Sequence, residues 1–522
     1  MVSDVEDRQI VQEDELAVAN STANVEFPAE VPAEIPAKVP ANVSANLSAK
    51  KPAHTNAKTA KQTGTEAGTA AGFHSAARTQ KRSGAATGLI AADGGAPRPD
   101  ALLGAGHDRI SFDEYVDALE IERNAGSEGL SLYVHLPFCP SRCLTCDHQT
   151  SVSHDSRQID RYLDAMEREV ELITEHLGRG RLLQQLHLGG GTPNYLSELQ
   201  LVRLLDIIDR HFSFDERTET SLEANAHRAS QAQLTLLHGL GFRAINLELR
   251  DLDPTVQQAL GRRQSLPVVR DVIESARQVG FDRVSADLVY GLPRQSTDTI
   301  RTTIEKLIGL DPDRISCYTF SRRPEFFQHQ CAVEQNQMPS LGDKVAIFSR
   351  IVDGLQDAGY DWIGLDCFAR PEDPITQAHK AGVLHRNWIG YTDKPGRSLV
   401  GLGSSATTDL STICARNHMS IDEWRKSLEQ GVLPVESGTR LTPAGRERRH
   451  ALSDLMCNLQ HGSPATFEPS DGEESATVLG NLAKDGYVEV SSNGIAITET
   501  GRYALHQLWG DASPSYRWGS LL

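Results

Sequence analysis

Long hydrophobic runs, aromatic residues and basic charge are all scarce in this 522-residue chain. No apolar stretch approaches the ~18 residues that a membrane-spanning helix needs, so no membrane insertion is expected. Lys and Arg number 52 against 70 Asp and Glu, for a formal charge of −18. That balance argues against a nucleic-acid backbone or an anionic membrane as the main partner. The opening Met-Val-Ser-Asp-Val-Glu-Asp is acidic; it has neither the apolar core of a secretory signal nor the Arg-rich pattern of a transit peptide. Cysteine is sparse too. Of eight, three fall within eight residues (Cys139, Cys143 and Cys146), and Cys317, Cys331, Cys367, Cys414 and Cys457 are scattered singly. This is no disulfide framework but one local ligand cluster in a reducing compartment, so a cytoplasmic chain is expected.

At about 100–200 residues per domain the length allows two to four folded units, if all of it folds. Residues 1–105 contain only two aromatics, Phe27 and Phe73, and carry a four-residue beat from Val31 (Val-Pro-Ala-Glu, Ile-Pro-Ala-Lys, Val-Pro-Ala-Asn). Pro28, Pro32, Pro36 and Pro40 forbid a continuous helix. Too little apolar surface remains to offset chain entropy, so a disordered arm is expected, either a solvated tail or a docking arm. Removing it leaves enough chain for one barrel and one further domain.

After a lead-in at 106–129 the texture changes. Short apolar runs at Leu130–His135, Gln185–Leu188, Thr220–Glu223, Ala244–Leu249, Val284–Val289 and Ile315–Phe320 read as strands. Between the first two, Ile159, Tyr162, Leu163, Met166, Val170 and Ile173 keep a helical stripe. Strands separated by helices imply βα units and a parallel sheet, closed or open, across 130–410. Function on such a sheet sits at the C-terminal strand ends. Residues 411–522 read as mostly helical, closing on a winged-helix-like hairpin around Ser492-Asn493-Gly494. A wing can bind DNA or pack on the barrel; with no basic stripe, packing is expected.

The loop after the first strand reads Tyr133-Val-His-Leu-Pro-Phe-Cys139-Pro-Ser-Arg-Cys143-Leu-Thr-Cys146. Three thiolates at this C-x3-C-x2-C spacing can each bind one iron of a [4Fe–4S] cube, leaving the fourth iron open to a small molecule. A zinc site completed by His148 is the alternative.

This spacing resembles the cluster loop of the radical S-adenosylmethionine (SAM) superfamily. More narrowly, the chain resembles the oxygen-independent coproporphyrinogen III oxidases from about 130 to 510. The segments that carry the likeness are Leu-His-Leu-Gly-Gly-Gly-Thr-Pro (186–193), Asp-Leu-Val-Tyr-Gly-Leu-Pro (287–293), Phe-Ala-Arg-Pro-Glu-Asp (368–373) and Gly-Val-Leu-His-Arg-Asn-Trp-Ile-Gly-Tyr-Thr (382–392). The resemblance implies a partial (β/α)6 barrel and a [4Fe–4S] cluster held by Cys139, Cys143 and Cys146. It also implies SAM on the open iron, contacted by Tyr133, by Gly190, Gly191 and Thr192, and by Glu223. A second SAM, a peculiarity of the family, would meet Arg250, Arg262, Asp287, Ser321 and Thr407. It assigns no catalytic side chain.

Several positions depart from the family pattern. Asp147-His148-Gln149 stands where Gly-Cys-Asn is usual, Thr145 replaces an aromatic, and Arg250 replaces a glutamine. The implied activity is oxidative decarboxylation of two coproporphyrinogen III propionates to vinyl groups in haem biosynthesis. A porphyrinogen substrate, a flavodoxin or ferredoxin as electron donor and a monomeric state are expected. Arg250, Arg262, Arg322 and Arg323 are candidates to pair with propionates, because guanidinium forks match carboxylates. The altered residues also fit a divergent radical SAM methyltransferase, and a haem- or cluster-carrying chaperone is the non-enzyme alternative.

Overall fold

A computed structural model describes residues 110–125, 129–320, 322–324, 326–396, 398–462, 480 and 482–503. The low-complexity arm and Ser321 lie outside them. Six parallel strands form the centre: β1 (Leu130–Leu136), β2 (Arg181–Gly190), β3 (Glu219–Ala224), β4 (Ala244–Arg250), β5 (Arg283–Tyr290) and β6 (Arg314–Thr319). Each pairs with the next in sequence order. They are the six strands expected from the apolar runs, with ends displaced by no more than four residues. This singly wound order forms a partial (β/α)6 barrel.

Alternation along the strands decides what the barrel encloses. Leu132, Val134, Leu186, Leu188, Leu222, Ile245, Leu247, Val284, Ala286 and Ile315 are buried and join one core cluster with the helices. The other face carries Tyr133, His135, Gln185, His187, Glu219, Ser221, Glu223, Asn246, Arg283, Asp287 and Arg314, which line a cavity of about 240 Å³. A parallel sheet filled with core would read apolar on both faces. This barrel is therefore a lumen with polar walls. Helix α1 (Phe112–Asn124) opens the described chain with a capping box between Ser111 and Glu114. Helix α2 (Ser156–Leu177) is capped by Asp155 and buries the stripe Ile159, Tyr162, Leu163, Met166, Val170 and Ile173.

Beyond β1 the sheet continues through β7 (Leu399–Leu402), β8 (Thr407–Asp409), β9 (Ile413–Asn417) and β10 (Val435–Arg440). β7 runs parallel to β1 and the rest are antiparallel. The sheet runs past 410, because β9 and β10 extend it to Arg440. Both strands are short, and Gly438 interrupts the second; Ile110 and the Cys414 carbonyl fill the space a side chain there would need. Their pairing is set by neighbours rather than by local pattern. The long helix Pro443–Asn458 follows, then the expected hairpin, β11 (Val488–Ser491) and β12 (Gly494–Ile497). Just after the hairpin, Arg502 stacks 3.7 Å over Trp362 and donates to the carbonyls of Trp362 and Gly364. The C-terminal segment thus packs on the sheet's far edge. Among the described residues no helix is long and apolar enough to cross a membrane.

Candidate active site

The cysteine loop leaves β1 and folds over the C-terminal ends of the strands. Gly191 N–H donates to the Leu136 carbonyl at 2.8 Å and Thr192 N–H to the Phe138 carbonyl at 2.9 Å, so the end of β2 is zipped to the start of the loop. A side chain at Gly190 (φ +116°) would strike the His135 ring, and one at Gly191 would strike Pro137. Glycine is required here by the approach of the loop itself. Thr192 Oγ1 lies 3.4 Å from Cys139 Sγ. From the other side, His329 Nε2 and Gln330 Nε2 both donate to the Cys146 carbonyl, at 2.8 and 3.0 Å.

Cys139 and Cys146 are buried and Cys143 is partly exposed. All three face a cavity of about 240 Å³, bounded by Gly190, Gly191, Thr192, Glu248, Arg250 and Arg262. Among the described residues no three His, Cys, Asp or Glu side chains gather around one point as a single-ion site requires. His148 Nδ1 pairs with Asp147 at 2.8 Å. Thiols at separate points suit a cluster whose irons are bound one by one. Cations are set against the anionic ligands such a cluster needs. Arg262 Nη1 is 3.7 Å from Cys143 Sγ and 3.4 Å from Glu248, and its Nη2 donates to the Glu248 carbonyl at 2.9 Å. Burial pushes the Cys139 thiol up to about 12. At Cys146 burial pulls the same way but is outweighed by His148 and Arg250, which hold the thiol below its ordinary range.

Arg250 ends β4 at a register shift with φ +62°, a left-handed conformation that costs a non-glycine residue roughly 1–2 kcal/mol. Strain of this kind concentrates at functional sites. The guanidinium is buried and lies 3.9 Å from Glu248. Beside it a small space of about 30 Å³ is bounded by Thr145, Glu248, Asp287 and Thr319.

On the barrel side, Tyr133 OH and His135 Nδ1 are 3.1 Å apart, while His135 Nε2 faces the Gln149 carbonyl at 3.2 Å. A carbonyl only accepts, so Nε2 carries the proton and Nδ1 accepts from the tyrosine. Burial lowers the His135 pKa to about 4, which keeps the ring neutral. Glu223 accepts from Gly190 N–H at 3.3 Å and lies 3.7 Å from His187 Nε2. Asp287 accepts from Asn246 at 2.8 Å. Thr407 is buried on β8 and lines the same cavity.

The residues singled out from the sequence thus fall into two groups. Cys139, Cys143, Cys146, Gly190, Gly191, Thr192, Arg250 and Arg262 surround the cluster cavity, whereas Tyr133, Glu223, Asp287 and Thr407 line the barrel. The four arginines considered for propionates do not line the barrel: Arg250 and Arg262 turn to Glu248, and Arg322 Nε donates to the Val333 carbonyl. The barrel's own cations are Arg283, Arg314, Arg386 and Arg416. Sequence reasoning passed over these, and also over Trp388, whose indole donates to Asp409 at 2.7 Å. Period-two alternation from Asn246 and Asp287 would have found Arg283; nothing local marks Arg416.

Residues 133–307 match the family model of the radical SAM superfamily. The oxygen-independent coproporphyrinogen III oxidase of Pseudomonas aeruginosa is 33% identical over 414 residues, covering 77% of this chain and 89% of that protein. The chain belongs to that family. The Escherichia coli oxidase is 31% identical over 419 residues, covering 76% of this chain and 91% of the relative. The solved E. coli coproporphyrinogen III oxidase, described as a radical SAM enzyme, superposes with a TM-score of 0.73 at 31% identity, covering 81% of this chain and 97% of that one. As a member of this oxidase family the protein is a radical SAM enzyme, and its cofactors are a [4Fe–4S] cluster and SAM. The three-cysteine loop, its glycine cradle and the adjacent guanidinium groups fit that pair.

Proposed function

We propose that this protein converts coproporphyrinogen III propionates to vinyl groups without oxygen, in haem biosynthesis. One observation carries the reading: the cluster cavity and the polar barrel lumen adjoin, and His148 borders both. A reactive species made at the cysteines therefore meets a substrate in the barrel without crossing solvent. Cys139, Cys143 and Cys146 hold three irons of the cluster. Gly190, Gly191, Thr192, Tyr133 and Glu223 hold SAM, with the Glu223 carboxylate as the partner for a positive group. Bound there, the cluster and SAM would together supply, by one-electron reductive cleavage, a 5′-deoxyadenosyl radical able to take a hydrogen atom from a propionate β-carbon. Loss of CO2 and of one further electron, taken up by an external one-electron acceptor, would then leave the vinyl group. The reading takes one SAM, because the space beside Thr145 and Asp287 adjoins the Arg250 guanidinium. A second sulfonium cation would face Arg250 there.

Anaerobic turnover tests the reading. Reconstituted protein with SAM, reductant and coproporphyrinogen III is expected to form harderoporphyrinogen and protoporphyrinogen. Formation of 5′-deoxyadenosine with no decarboxylated porphyrinogen would sink the substrate assignment, and S-adenosylhomocysteine among the products would point to methyl transfer.

The electron enters at the cysteine loop, from an acidic carrier such as a flavodoxin or ferredoxin. Support comes from local charge: in a chain of net −18, Arg142, Arg263 and His227 are exposed around the cluster cavity. The carboxylate that lines it, Glu248, is buried and faces Arg262. Charge complementarity acts mainly on the rate of encounter. Arg263→Glu is expected to slow flavodoxin-driven SAM cleavage about tenfold at low salt, while dithionite-driven cleavage stays within about twofold. Equal slowing with both reductants would place the defect in the cavity rather than at docking.

A further inference from the structure

Four arginines line the barrel lumen, and three are neutralised from within. Arg283 reaches Glu219 at 2.5 Å, Arg314 forms a two-pronged pair with Asp373 at 2.7 Å, and Arg386 lies 3.2 Å from Asp366. Arg416, on β9, differs. Its nearest carboxylate is Glu436 at 3.8 Å, on a side chain that is 40% exposed, a separation and setting in which solvent leaves little attraction. Its Nη2 donates to Ser437 Oγ at 3.4 Å, and its Nε is buried with no hydrogen-bond partner among the described residues. Directly across the β8–β9 ladder from Arg416 stands Thr407, whose buried Oγ1 is also without a partner. Side chains opposite one another in an antiparallel pair share a face, and both residues line the lumen.

A buried guanidinium Nε and a buried hydroxyl left unsatisfied side by side are costly unless something completes them. We infer that Arg416 and Thr407 form a carboxylate-binding subsite of the lumen, and that its ligand is a propionate of the tetrapyrrole. The ligand's charge explains the selection: a substrate with several carboxylates entering a lumen whose other arginines are closely paired finds at Arg416 a guanidinium held only loosely, by the exposed Glu436 at 3.8 Å. A carboxylate accepts from a guanidinium edge and from a hydroxyl at once, the donor set these two residues present. Holding a propionate that does not react leaves another ring free to approach the cysteine loop. The inference rests on the proposed porphyrinogen substrate.

The test uses the full chain and coproporphyrin III, the stable oxidised analogue, titrated by fluorescence quenching, with SAM affinity measured in parallel. Arg416→Met is expected to weaken coproporphyrin binding at least about tenfold, Thr407→Val severalfold, and Arg416→Lys to recover part of the loss. SAM affinity should stay within about twofold, and the turnover penalty should fall on KM more than on kcat. Coproporphyrin binding within twofold of wild type in both Arg416→Met and Thr407→Val overturns the inference alone. A loss confined to SAM affinity overturns it as well, assigning the carboxylate to the methionine end of SAM. A wild-type chain that takes up no coproporphyrin overturns the substrate reading and this inference together.

Discussion

Cys143→Ala is expected to abolish 5′-deoxyadenosine formation while leaving the fold intact. The thiol is the most accessible of the three, so its removal opens no large cavity in packed core. Chain contacts around it persist, because Leu144 N–H donates to the Leu260 carbonyl and Cys146 N–H to the Cys143 carbonyl. What is lost is one iron ligand, and Arg262, 3.7 Å from the sulfur, is left facing its Glu248 partner alone. Changes in the outer shell of a metal site typically cost about 10–100-fold in activity or metal affinity, and loss of a ligand should exceed that. Iron and sulfide content after reconstitution should fall in parallel, with the thermal unfolding midpoint little changed. Cys331→Ala, an exposed cysteine beside the His329 and Gln330 contacts but not in the loop itself, serves as the control and should behave as wild type. Wild-type SAM cleavage by Cys143→Ala would remove this residue from the ligand set.

The loop and the six strands could be read locally, for different reasons. Thiolate spacing within eight residues survives any fold, and alternation shows in each strand by itself, as in Ala244-Ile-Asn-Leu-Glu-Leu-Arg250. Even the lumen was latent there, since one face of every strand is polar. What stayed hidden joins distant parts of the chain. Asn387 donates to Gln185 across 202 positions, and His329 and Gln330 reach the Cys146 carbonyl across more than 180. Arg322 and Arg323 attracted notice as adjacent cations, but a loop has no periodicity to say where a side chain points. Arg416 lies in a short strand of the sequence Ile-Cys-Ala-Arg-Asn, and its chemistry comes from having only the exposed Glu436 as a loose partner. Such a feature is visible only once every other arginine has been paired.

Those pairings make Glu219→Gln the most destabilising single change expected in the barrel. Glu219 begins β3 at the N-terminal end of the lumen, where it accepts from Arg283 at 2.5 Å and from Gln185 at 3.0 Å, with Arg314 at 4.0 Å. Arg314 also binds Asp373, which caps the helix Pro374–Lys380 through Ile375 N–H. Two guanidinium groups thus face two carboxylates, and neutralising one leaves an unmatched cation. Breaking a buried pair in this way costs about 3–5 kcal/mol; with the Arg283 and Glu219 side chains 19% and 18% exposed, the lower end is expected. Denaturant unfolding measures it, and Glu219→Gln combined with Arg283→Met should recover part of the loss. The pH dependence gives a second check. Burial alone would raise the Glu219 pKa, but Arg283 and Arg314 outweigh it and bring the value from 4.5 down to about 2. A carboxyl depressed on folding stabilises fully above its unfolded pKa and loses that stabilisation as pH falls through the folded value. The gap between wild type and Glu219→Gln should therefore stay flat from pH 8 to about 5 and close only as the pH falls from about 4.5 toward 2. Closure near pH 6 would mean that Glu219 is not ionised as assigned. The same variant bears on the substrate: it releases Arg283 as a second loosely held cation in the lumen. Coproporphyrin should then bind at least as tightly while turnover falls, because a propionate drawn to Arg283 is held at the wrong end of the barrel.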